Sequence, residues 1–208
     1  MKSPLELSSH DRILTAAKSL FAQKGYENTS TVAIAREAGT SESQLMKHFG
    51  SKQGLLVAIL DRGWTGVMER AKATHHASSA GGSLIALLTA ATIEFENDRE
   101  FKTLAALEAR RVRKDSTDVV VSRGYRRFRE TLDRILIDMR TEGLISADLN
   151  LDAVRAAILG FADGLWRDQI IATRAGMASN YSFDDIRQVL ELLVDAFSAT
   201  PEQRARAS

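Results

Sequence analysis

The sequence predicts an all-α protein, and three observations carry that prediction. Its only prolines, Pro4 and Pro201, lie near the ends, so nothing between them forbids long helices. No alternating run bounded by turn residues stands out, and the one β-branched cluster, Asp118-Val119-Val120-Val121, is short. Apolar residues instead recur at helical spacing, from Ile13 near the start to Phe197 near the end.

The elements follow in order. Ile13, Leu14, Ala17, Leu20 and Phe21 form the apolar stripe of a first helix that Gly25 ends. A second helix is capped by Thr29, Ser30 or Thr31 and turns Val32, Ile34, Ala35 and Ala38 inward. Gly39 stands where a helix must end in a left-handed residue, which glycine adopts without a Cβ clash. Ser41-Glu42-Ser43-Gln44 has capping-box spacing, so a third helix begins at Ser41 and carries Leu45 and Phe49 inward. Ser51 caps a fourth, running from about Lys52 to the His75-His76 region.

Beyond it, Ala77 to Gly82 reads as a loop, and Ser83 caps a helix to about Glu96. Asp98 caps another to about Arg113. Asp115 or Ser116 opens a long helix closed by Gly143, with Gly124 as a weak point inside it. Asn150 caps a helix to about Arg174, and Ser182 with Asp185 caps the last, which stops before Pro201.

Two short capped helices around a glycine turn make a helix-turn-helix, in which one helix crosses the DNA backbone and the next enters the major groove. The same pattern also occurs in helical proteins that never touch DNA. Polar chemistry favours the DNA reading: Ser43, Gln44, Lys47 and His48 face outward and can bond base edges or phosphates. Thr31, Ser41, Glu42 and Met46 complete the surface, and Lys52 follows where it can reach a phosphate. Glu42 is costly beside DNA unless it accepts from a cytosine amino group or points away.

The stretch from Ile13 to Leu60 resembles the N-terminal domain of tetracycline-repressor (TetR/AcrR) family regulators. The matching residues are ILTAAKSLFAQKGYENTS, then IAREAGTS, then Leu45 with HFGSK and Leu55-Leu56. The chain departs from the family where Met46 and Lys47 replace two aromatics, and where Thr40 replaces a valine after the turn glycine. The resemblance implies a DNA-binding domain over residues 1–56 and a helical ligand-binding and dimerisation domain over 57–208.

It also implies a ligand-responsive regulator, a repressor acting on a pseudo-palindromic double-stranded operator. The family dimerises through its last two long helices, so a homodimer is expected through Val154, Phe161, Gly164, Leu165, Val189, Leu193 and Phe197. A ligand pocket is implied between the middle and dimer helices, with Phe95, Phe101, Leu104, Leu107, Phe128, Leu132, Phe161 and Trp166 as candidate lining. Each of these is also an ordinary core residue.

Between Arg99 and Arg129 ten basic residues stand against four acidic ones, a surplus of six in a chain of net charge +1. A solvated face with scattered ion pairs explains this. So does an anionic end on an apolar or amphipathic effector, or attraction to DNA phosphate.

The remaining bounds exclude more than they assign. Hydrophobic content of 44% and charged content of 26% are ordinary for a soluble globular protein. Zero cysteines exclude disulfides and thiolate metal sites and fit a reducing cytoplasm. MKSPLELSSHDR lacks the apolar segment of a signal peptide, and no apolar run reaches a membrane span, so no membrane partner is expected. There is no Gly-rich phosphate loop, G-x-S-x-G elbow or H-E-x-x-H, so neither enzymatic activity nor a cofactor or metal is expected. Adjacent His75 and His76 point apart on a helix and make a poor metal pair. An interaction protein with a structural helix-turn-helix, and a helical enzyme with an atypical site, remain as alternatives.

Overall fold

The structure, a computed structural model, describes residues 7–74, 79–108, 121–177 and 181–198, with side chains for all of these except 74, 173, 174, 183 and 193–198. Among the described residues there are nine helices and no strand. They are α1 (Ser9–Lys24), α2 (Thr31–Glu37), α3 (Glu42–Phe49), α4 (Lys52–Thr74), α5 (Ala80–Asn97), α6 (Arg99–Ala105), α7 (Arg123–Thr141), α8 (Leu151–Ala175) and α9 (Phe183–Ser198).

Most boundaries follow local chemistry. Ser8, Ser30, Ser41, Ser51, Asp98, Asn150 and Ser182 each accept a hydrogen bond from a backbone N–H in the turn that follows. The Ser182–Asp185 box closes in both directions, because the Ser182 amide also donates to the Asp185 carboxylate at 2.6 Å.

Three expectations change. Gly81 and Gly82 lie inside α5, because Ser79 accepts from the Gly82 amide and the Glu142 carboxylate takes the Ala80 amide at 3.0 Å. The helix after Asp98 ends at Ala105, short of Arg113, where a tighter turn takes over. Ser122 rather than Asp115 or Ser116 caps α7, so Gly124 sits in its first turn and not in its interior. Asp115, Ser116 and the middle of the arginine-rich stretch, with Arg110, Arg111, Arg113 and Lys114, lie outside the described residues, as do His75 and His76.

The chain divides into two compact units, Met1–Thr65 with Asn97–Arg126, and Gly66–Glu96 with Arg127–Ser208. The first buries Ile13, Ala17, Phe21, Ile34, Leu45, Leu55 and Leu60. Arg12 ties α1 to the end of α2 by donating to the Ala38 carbonyl at 3.1 Å, and Lys18 pairs with Asp98 at 2.7 Å. Val32 departs from the expected inward face: it is 60% exposed, while Ile34 and Ala35 do the packing. The second unit is built on Leu84, Leu88, Phe95, Leu132, Leu136 and Ile158, and Arg155 joins α8 to Asp133 of α7 at 2.5 Å.

Two carboxylates of the first unit hold the start of α7. Asp61 accepts from the Gly124 amide at 2.7 Å. Glu108 accepts from the Ser122 amide at 2.5 Å and from the Trp64 indole at 3.2 Å. Burial pushes the Glu108 carboxyl above the usual glutamate range, the Asp61 charge adds to that, and its hydrogen bonds only partly oppose it. The folded chain therefore holds the Glu108 proton more readily than the unfolded one. Stability contributed by this group falls as pH rises from the ordinary glutamate range through the raised value, and returns on acidification. Denaturant titrations across that window are expected to show wild type gaining on Glu108→Gln as pH drops. A pH-independent difference between the two proteins would contradict this assignment.

Candidate nucleic-acid interface

The short helix α3 owes its position to its two ends and one buried side chain. Ser41 caps it, Leu45 is fully buried beneath it, and Gly50 ends it with φ of 72°. Gly39, with φ of 60°, makes the turn from α2. The helix so held exposes Glu42, Ser43, Gln44, Met46, Lys47 and His48 along one surface, with Ser41 at its head.

Several of these side chains are already engaged. The Thr31 hydroxyl donates to Glu42, which draws that carboxylate toward α2 and satisfies part of its demand for donors. The Thr40 hydroxyl donates to the Gln44 carbonyl oxygen at 2.5 Å, and the Gln44 amide donates to the Ser9 hydroxyl at 3.2 Å. Ser9 in turn lies 3.1 Å from His48 Nε2. His10 stacks on Phe49 at 4.8 Å and meets His48 edge-on at 5.6 Å, so the start of α1 lies against the exposed helix. Sequence reasoning missed Ser9 and His10, since partners more than thirty residues apart leave no local spacing signal.

Lys52 behaves differently from the sequence expectation. Its ammonium donates to the carbonyls of Tyr26 at 2.9 Å, Thr29 at 3.1 Å and Glu27 at 3.5 Å. It also lies 4.3 Å from the centre of the Tyr26 ring, within cation–π range. Its three donors thus serve the turn between α1 and α2 instead of reaching out for a phosphate.

The expected pocket residues are shared between the two units. Phe101, Leu104 and Leu107 belong to the first unit, whereas Phe95, Phe128, Leu132, Phe161 and Trp166 belong to the second. Phe95, Phe101, Leu104, Phe128 and Leu132 are buried, and Leu107, Phe161 and Trp166 half-buried. Phe95 and Trp166 meet edge-on at 4.5 Å, and the Trp166 indole N–H is buried without a partner among the described residues. The second unit also has an open groove of about 420 Å³, lined by other residues. Met68, Ala71 and Lys72 of α4, Ser83, Ala86 and Leu87 of α5, and Thr131, Arg134, Ile135 and Asp138 of α7 form its walls.

Of the expected dimer residues, Val154 is buried within its own unit, while Phe161 and Leu165 are half-buried. Gly164 and Val189 are exposed, and among the described residues nothing lies within 4 Å of a Cβ at Gly160 or Gly164. Leu192 on α9 is 66% exposed. The side chains of Leu193 and Phe197 lie outside the described set.

Comparison with known proteins agrees with this arrangement. Residues 13–59 match the family model of "Bacterial regulatory proteins, tetR family". The HTH-type transcriptional regulator YvkB of Bacillus subtilis (strain 168) is 43% identical over 54 residues, covering 26% of this chain and 29% of YvkB. The HTH-type transcriptional regulator UidR of Escherichia coli (strain K12) is 23% identical over 159 residues, 76% of this chain and 79% of UidR. Among solved structures, the regulator FadR from Bacillus subtilis in complex with stearoyl-CoA superposes with a TM-score of 0.72 at 18% identity, covering 89% of this chain and 97% of that one. The likeness to FadR shows the fold.

Proposed function

We propose that this chain, which belongs to the tetR family of bacterial regulatory proteins, is a ligand-responsive transcriptional regulator that represses as a homodimer by laying α3 in the major groove. The polar face of α3 carries this reading. Gln44, His48, Ser43 and Lys47 stand exposed on a helix whose ends and underside are fixed. Gln44 keeps one amide hydrogen and one carbonyl lone pair beyond its present partners, the combination that pairs with adenine N7 and N6. Lys47 and His48 then serve phosphates or base edges, and Lys52 serves the fold.

Homodimerisation is supported by the second unit, where small Gly160 and Gly164 and apolar Leu192 are exposed among the described residues. Two-fold pairing presents two copies of α3, so the operator is a pseudo-palindrome with half-sites about one helical turn apart or more.

The groove between α4, α5 and α7 is the best-supported effector site in the second unit. Its apolar floor of Met68, Leu87 and Ile135, with Lys72 and Arg134 against Asp138 at the rim, suits an amphipathic molecule bearing an anionic end. Stearoyl-CoA, bound in the FadR structure, has that chemistry. Helix α4 supplies groove residues near its end and begins two residues after Gly50 closes α3. An effector that favours one setting of α4 couples to DNA affinity by about 1–3 kcal/mol in switches of this kind.

Selection of bound sequences from random duplex DNA tests the assignment, and an inverted repeat is the expected product. On that duplex, Gln44→Ala is expected to relax preference at one base pair per half-site, at a cost of about 1–3 kcal/mol. Wild-type discrimination in the mutant would move the reading surface off α3.

A further inference from the structure

We propose that Ser9 is a positioning residue for sequence readout, its hydroxyl joining Gln44 and His48 of α3 into one preset hydrogen-bonded chain. This rests on α3 being the reading helix. The chain runs from the Thr40 hydroxyl to the Gln44 carbonyl oxygen at 2.5 Å, from the Gln44 amide to Ser9 at 3.2 Å, and from Ser9 to His48 Nε2 at 3.1 Å.

A glutamine in water has three rotatable bonds, the last of which turns the amide, so an unsupported Gln44 must be immobilised at the moment of binding. Here the amide is gripped at both ends. Thr40 takes one carbonyl lone pair and Ser9 takes one N–H, which fixes the amide plane and leaves one donor and one acceptor facing outward. With Gln44 donating to it, the Ser9 hydroxyl is free to donate to His48 Nε2, which makes the other ring nitrogen, Nδ1, the protonated donor. Turning the Gln44 amide over, so that its oxygen accepts from Ser9 and its nitrogen donates to Thr40, still leaves Gln44 one donor and one acceptor. Ser9 is the only member that does not belong to α3 or the turn before it, so it transmits the position of α1 to the readout side chains. The stack of His10 on Phe49 at 4.8 Å keeps that end of α1 in place.

Among the described residues, the Ser9 hydroxyl bonds only Gln44 and His48. The preceding Ser8 caps α1, accepting from the Asp11 amide at 3.1 Å, and Ser9 is the first helical residue, where alanine is well tolerated.

The experiment uses the full chain and the duplex selected from random DNA, with a panel of single base-pair variants of each half-site, read by fluorescence anisotropy. Ser9→Ala, Ser9→Thr, Gln44→Ala and the double variant Ser9→Ala/Gln44→Ala are compared. Ser9→Ala is expected to lower discrimination about 2- to 10-fold at the same base pair that Gln44→Ala affects, the range set by fixing one or two side-chain rotors. Its melting temperature and salt slope stay at wild-type values, Ser9→Thr restores discrimination, and in the Gln44→Ala background the Ser9 change adds nothing at that base pair. Wild-type discrimination in Ser9→Ala overturns the proposal, as does an equal loss at every base pair in both backgrounds, which marks a phosphate contact. If Gln44→Ala itself discriminates like wild type, the reading helix is misassigned and the proposal falls with it. A loss in Gln44→Ala without one in Ser9→Ala removes the proposal alone.

Discussion

Gly54→Ala is expected to destabilise the protein by about 3 kcal/mol and to abolish tight DNA binding, against the sign that helix propensity predicts. Gly54 lies in the first turn of α4, where alanine ordinarily gains about 1 kcal/mol over glycine. A Cβ at this position would stand 2.2 Å from the Phe49 carbonyl oxygen, the last residue of α3. That neighbour is backbone and cannot rotate away, so the two helices must separate. Cores answer such overpacking with losses of about 1–3 kcal/mol, and a backbone neighbour places this case at the upper end. For a chain of this size the loss corresponds to a fall in melting temperature of about 6–12 °C. Calorimetry and anisotropy on the selected duplex check both parts. A variant as stable as wild type would show that α3 and α4 are not so tightly joined.

Lys52→Met is the second large effect, and it separates two roles for one residue. Methionine keeps the apolar stem and removes the ammonium that holds the Tyr26, Glu27 and Thr29 carbonyls. Hydrogen bonds from a charged donor contribute about 1.5–3 kcal/mol each, and water re-satisfies part of what is lost at a half-buried site. The cation–π contact with Tyr26 adds about 0.5–1 kcal/mol. A net loss of about 2–4 kcal/mol in chemical denaturation is expected. The slope of log affinity against log salt should be that of wild type. Were Lys52 a phosphate ligand, the slope would drop by about 0.9 per half-site and stability would hardly change.

The legible part of this chain is what short-range chemistry decides. Ser41 and Gln44 lie three residues apart and announce a helix start; Gly25, Gly39 and Gly143 announce turns and ends, and each has positive φ. Asn150 and the Ser182–Asp185 box do the same for α8 and α9. What escaped has partners far along the chain. Ala80 begins α5 because Glu142 waits sixty-two residues later. Lys52 turns inward toward carbonyls more than twenty residues before it, and Ser9 reaches Gln44 across thirty-five. For the apolar residues named as candidate pocket lining, periodicity says that a residue is buried and not what it is buried against. Phe101 illustrates this: its ring meets Trp64 edge-on at 5.7 Å and completes the interior of the first unit.

That placement of Phe101 bears on how such a regulator could be recombined. The unit that carries α3 is not one stretch of sequence: it borrows α6 from the middle of the chain, held by the Lys18–Asp98 pair and by Phe101 against Trp64. A graft that transplants only the first sixty-five residues leaves behind the segment that covers its interior. Moving this unit intact into another chain therefore requires two segments cut and inserted together, the first carrying α1 to α3 and the second carrying α6.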